Sequence, residues 1–150
     1  MEKWPEYLDQ AKKHFKTADH MSYVTLTLLK ENRLLIKIVV ELSEATLNLI
    51  KAFLAYEYSL KRVRLYRDPL MNLKTFQTKI APKYLEKQDI VNLVKILEIN
   101  KKHKQAPVEF VKKEKFVILL GEEYETITLE KVKEFLTTIR KVLANFPETT

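Results

Sequence analysis

Cysteine is absent from this chain, which removes disulfides, thiolate nucleophiles and thiolate zinc sites together. Glycine occurs once, at Gly121, so a Walker-type phosphate cradle or a dinucleotide-binding turn cannot be built, and a nucleotide-binding α/β fold is excluded. The same scarcity argues against a β-rich fold with glycine turns. Few prolines and no low-complexity run argue against disorder or a flexible linker. Ser22, Ser43 and Ser59 all fall in helical patterns with no nucleophile elbow around them, so serine hydrolase chemistry is excluded as well.

Long uninterrupted apolar runs are also missing. The most apolar stretch is broken at every turn by Lys37, Glu41, Glu44 and Lys51, too often for a bilayer span, and no membrane segment is expected. Met1 to Lys13 carries Glu2, Lys3, Glu6, Asp9 and Lys12 around no apolar core, so a signal peptide is not expected and a cytoplasmic location is.

What is present is helical. With 46% hydrophobic and 31% charged residues over 150 positions, the chain has the apolar material for one domain, residues 1–150. Between Arg33 and Tyr56, Leu35, Ile38, Leu42, Ala45, Leu49, Ala52 and Tyr56 form one seam, widened by Ile36, Val39, Val40, Leu47, Ile50, Phe53 and Leu54. Only Arg33, Lys37, Glu41, Glu44, Asn48 and Lys51 are left for a polar ridge, which predicts a helix covered on most sides by others. Leu60, Val63 and Tyr66 continue the pattern, so this helix is predicted to run from Arg33 to Arg67, roughly 50 Å at ~1.5 Å per residue, with a projecting tip.

Around it, a first helix is predicted from about Pro5 to Leu29, with small residues (Ala11, Ala18, Ser22, Thr25) in its seam and a tight reversal before an N-cap at Asn32. Asp68 caps a short helix carrying Leu73, Phe76 and Ile80 and ending near Pro82. A further helix follows Glu86, turns Ile90, Leu93, Val94 and Leu97 inward and frays around Lys104. Thr128 caps a last one with Leu129, Val132, Leu136, Ile139, Leu143 and Phe146 inward. Residues 108–120 read two ways: a helix opened by Pro107 with Phe110 and Val111 inward, or a buried strand through Phe116, Val117, Ile118, Leu119 and Leu120, with Gly121 as a C-cap or a hairpin turn. The helical reading is favoured. The fold expected is therefore all-α, an antiparallel up-and-down helical bundle of about five to six helices with one long central helix.

A net charge of +7 raises the expectation of an anionic partner, though lysine and glutamate enrichment equally suits the surface of a heat-adapted intracellular protein. Two basic clusters stand out. Lys61, Arg62, Arg64 and Arg67 interleave with Tyr58 and Tyr66, a mixture suited to phosphates and unstacked bases or simply to a solvated helix end. Lys101, Lys102, His103, Lys104, Lys112, Lys113 and Lys115 flank Glu109 and Phe110. Like charge around His103 favours the neutral imidazole of a general base, with Glu109 to orient it and Lys102 to supply charge; equally, lysines at a helix C-terminus complement the macrodipole with no further purpose. The candidate catalytic residues are thus His103, Glu109 and Lys102. The candidate nucleic-acid-binding residues are Lys61, Arg62, Arg64, Arg67, Lys101, Lys104, Lys112 and Lys113. Ala11, Thr17 and Asn100 stand three residues before the three histidines, so the Glu-x-x-His step of a bundle metal site is missing, and neither metal nor cofactor is expected.

The long central helix and Lys102-His103-Lys104 ahead of Pro107 resemble the HEPN superfamily of small helical bundles, in which an arginine precedes a histidine near a helix end. Of that pair only the histidine carries over, because Ile96, Leu97 and Glu98 occupy the positions separated from it by six, five and four residues. The resemblance implies a homodimer, with RNA or a nucleotidyltransferase-type protein as possible partners. The function expected from the chain is a non-enzymatic, self-associating module binding RNA or a protein through a basic end. The alternative is a metal-independent endoribonuclease, toxin-like, using His103 as general base.

Overall fold

The computed structural model describes residues 3–147; Met1 and Glu2, which entered the reading of the chain start, lie outside them. The chain is mostly helical. Helix α1 (Trp4–His20) continues through one wide π-turn (Met21–Thr25), where the Leu26 amide reaches the Met21 carbonyl, into α2 (Leu26–Leu29). Lys30, in left-handed backbone at φ 50, ends it, and the chain reverses into α3 (Leu34–Ser59). The Trp4 ring meets Tyr56 edge-on at 5.7 Å and His14 Nδ1 lies 2.7 Å from Glu41, so α1 and α3 run antiparallel. Asn32 is not the N-cap: its side chain donates instead to the Lys113 carbonyl at 3.2 Å.

The α3 seam is buried as its spacing requires. Leu35, Ile38, Leu42, Ala45, Leu49 and Ala52 of the seam, and Phe53 beside it, are closed to solvent, each large side chain contributing about 1.5–3 kcal/mol by leaving water, whereas Tyr56 and Val40 are half-buried and Leu47 is exposed. Helices α1, α6 (Lys87–Gln105) and α7 (Leu129–Ala144) cover it. Phe53 meets Phe146 at 4.8 Å, Tyr84 at 5.4 Å and Phe76 at 5.7 Å, tying the far end of α3 to three other segments.

The long helix is shorter than its pattern suggested, ending at Ser59 rather than Arg67. Lys61 takes a left-handed conformation, φ 60, and two backbone bonds close the end: the Lys61 amide to the Tyr58 carbonyl at 2.9 Å and the Arg62 amide to the Glu57 carbonyl at 3.0 Å. This is a Schellman stop, which satisfies the last carbonyls as helix continuation would. The tip does not project. Tyr66 and Asn72 exchange two hydrogen bonds, 2.8 and 2.7 Å, and fold residues 60–68 back onto α4 (Pro69–Thr75). Asp68 caps α4 as expected, accepting from the Leu70 amide at 2.9 Å. A second π-turn (Phe76–Ile80) then carries the helix into α5 (Ala81–Tyr84), past Pro82, which sits in a first turn where no donor is needed.

Glu86 and Asp89 form a reciprocal capping box for α6, whose buried face is Leu93, Ile96 and Ile99 with Asn92 and Asn100; Val94 and Leu97 are only half-buried. Thr128 caps α7 through the Lys131 amide at 3.2 Å.

The all-α expectation fails between α6 and α7. Residues 108–127 form a three-stranded antiparallel meander, β1 (Val108–Lys112), β2 (Lys115–Leu120) and β3 (Glu123–Ile127), in that order. The turns are two residues each and open on positive φ, Lys113 at 56 and Gly121 at 63, so Gly121 serves a hairpin and not a C-cap. The register puts Val111, Phe116 and Ile127 in one row against the core and Glu109, Ile118 and Glu125 in the next row of the same face. Phe110 and Val111, taken as both inward on a helix, point to opposite faces, because strand side chains alternate.

Candidate nucleic-acid interface

The two basic clusters stand at opposite ends of α3. Lys113 touches Asn32 just before the helix begins, whereas Lys61 and Arg62 follow its last residue, and 26 residues span about 39 Å. Within one chain they cannot act on the same phosphate.

Of the lysines around His103, Lys102 alone is occupied by the inner face of the sheet. Glu125, buried on β3, accepts from Lys95 at 2.7 Å and lies 3.5 Å from both Lys102 and Lys131. Burial pushes the Glu125 carboxyl up, but the Lys95 hydrogen bond and the charges of Lys95, Lys131 and Lys102 outweigh it, holding the group below its ordinary value of 4.5. His103 Nδ1 lies 2.5 Å from Glu109 Oε2, so the pairing foreseen from sequence is formed. Lys102, however, lies 3.5 Å from Glu125, and Ile96, one of the positions where the resemblance would require an arginine, is buried in the core. What surrounds His103 is a row of helix-to-strand bridges that clamp the sheet to α6.

The outer face of the sheet is different. The register brings Val108, Leu119 and Tyr124 into one row, Phe110, Val117 and Thr126 into the next, and Lys112 opposite Lys115 at the hairpin end. All of these but Val108 line a shallow groove of about 490 Å³ that no helix covers, with Tyr124 70% exposed. Lys112, Lys113 and Lys115 make no ion pair among the described residues, nor do Lys101 and Lys104. Tyr124 went unnoticed in the sequence, and alternate positions collect this face only within each strand, since the step across each turn is an odd number of residues.

At the other end, Arg62 donates at 3.0 Å to Glu57, a carboxylate with no exposed surface, which also receives Lys83 and lies 3.4 Å from the Tyr84 hydroxyl. The hydrogen bond to Glu57 raises the Arg62 guanidinium further above its ordinary value. Arg62 is therefore committed to the fold, while Arg64 lies over the Tyr66 ring at 5.7 Å. His14 pairs with Glu41, and no group of three or more potential metal ligands converges among the described residues.

No helix of the described residues is long and apolar enough to cross a membrane. No protein family, curated relative or solved structure matches the chain.

Proposed function

We propose that the protein is a non-enzymatic module that binds single-stranded RNA across the outer face of its β-meander. The observation that carries this reading is the uncovered groove with Phe110 and Tyr124 on its surface and unpaired Lys112, Lys113 and Lys115 at its rim. Aromatic faces on a sheet stack unpaired bases, and lysines that owe nothing to a protein carboxylate are free to replace the counterions of a phosphate chain. Self-association belongs to the same reading, supported by Leu28 and Leu29 standing largely exposed on α2. Titration with single-stranded and duplex RNA of equal length at low salt, alongside a solution mass measurement, tests it. Single-stranded preference and a dimer mass are expected; equal or no binding removes the RNA half, and a strictly monomeric species removes the other.

A metal-independent ribonuclease of the HEPN kind is the second reading, favoured by the His103–Glu109 contact. The contact of Lys102 with Glu125 and the buried Ile96 leave unpaired Lys101 and Lys104, and no planar arginine fork, to stabilise a pentavalent phosphate, which ranks it second.

A further inference from the structure

The end of α3 remote from the sheet carries a second, independent surface. A groove of about 620 Å³ runs between α1, the last turns of α3 and the 60–68 loop, with Tyr7, Leu54, Ala55, Tyr58 and Leu65 along it. Tyr58 and Leu65 are about half exposed, and Leu60, Leu70 and Met71 add open apolar surface on the same loop and the first turn of α4. The loop that forms one wall is held by the Schellman stop, the Arg62–Glu57 bridge and the paired Tyr66–Asn72 hydrogen bonds, so the groove exists before anything enters it.

Its charge is one-sided. Lys3 and Lys51 line it, no aspartate or glutamate does, and the wall loop beside it carries Lys61, Arg64 and Arg67 against one acid, Asp68, which caps α4. None of these five cations makes an ion pair among the described residues. An apolar floor with a cationic rim matches one side-chain pattern: large aliphatic or aromatic residues on one face, carboxylates on the other. We propose that this groove docks an acidic amphipathic helix of a partner protein, seating its apolar side chains between Tyr7, Leu54, Tyr58 and Leu65 and its carboxylates against Lys51, Arg64 and Arg67. A second copy of this chain is disfavoured, since each carries +7 and the rim is cationic. RNA gains little from Leu54, Ala55 and Leu65, and the concave floor fits a helix better than a lipid surface.

The test is an amide-shift titration of the isotope-labelled full chain with an amidated peptide of ~16 residues, about four helical turns, carrying leucine at a 3,4 spacing and glutamate elsewhere. Saturable shifts at Tyr7, Leu54, Tyr58 and Leu65 are expected. Affinity should fall about tenfold or more when the leucines become serine at constant charge, or with Leu65→Glu, and stay unchanged with Val91→Glu on the exposed face of α6. Should the spectrum of Leu65→Glu reveal altered folding, Tyr58→Ala replaces it. Equal binding of the serine peptide overturns the proposal. So do shifts of the same amides produced by RNA or anionic vesicles but not by the peptide, concentration-dependent shifts without ligand, or no saturation by about 1 mM.

Discussion

Lys95 of α6 donates to Glu125 of β3 at 2.7 Å, and this contact, joined by Lys102 and Lys131, fastens the sheet to the helical body. Because the folded carboxyl titrates below its ordinary value of 4.5, its contribution to stability is present above that pH and is lost as pH falls through the lower folded value. Glu125→Gln should lower stability at neutral pH by about 1–3 kcal/mol and flatten the loss seen as pH falls below 4.5, as read by denaturant midpoints at each pH.

Glu57 has no solvent exposure and two partly exposed cationic partners. Arg62→Met and Lys83→Met should each lower the urea midpoint modestly, because the remaining cation still compensates the carboxylate. Both together should lower it by more than the sum, leaving an ionised group buried with only the Tyr84 hydroxyl nearby. Adding Glu57→Met to the double variant should recover most of the loss.

Lys61 holds φ 60 at the end of α3, where a β-carbon is strained. Lys61→Gly should raise stability by about 0.5–1 kcal/mol, measured by thermal and urea denaturation, with no change in RNA affinity.

Much of the helical framework was legible because amphipathic spacing fixes a buried face: the α3 seam, the Asp68 and Thr128 caps and the end of α6 all follow from it. The sheet was legible only as the less favoured reading of residues 108–120, since Phe116 to Leu120 are apolar on both faces and so erase the alternation that decides for a strand. The end of α3 was hidden for a different reason. Lysine at position 61 carries no stop signal, and Leu60, Val63 and Tyr66 keep the helical spacing after the helix has ended. Glu57 was not singled out in the sequence, and only the tertiary arrangement of Arg62 and Lys83 explains its burial. Among the candidate site residues, the His103–Glu109 contact was foreseen, whereas Tyr124 became visible only with the register of β3.

His103→Ala should leave RNA affinity within about twofold, since its partner is Glu109 and not the outer sheet face. Wild-type protein incubated with RNA in chelator should yield no His103-dependent cleavage, read by gel; cleavage lost in the variant would promote the ribonuclease reading.

On the sheet, Tyr124→Ala should weaken single-stranded RNA binding by about 1–3 kcal/mol, the scale of one stacked base. Lys112→Gln and Lys115→Gln should each reduce the salt dependence of log K by about one unit while weakening binding to all sequences alike.

The central claim is that RNA lies on the outer sheet face and not on the loop after α3. Photo-crosslinking of an iodouridine-substituted single-stranded RNA, followed by mapping of the adduct, tests this most directly. The expected adduct is on Tyr124 or Phe110; adducts on Tyr58 or Tyr66, or none at low salt, would contradict it.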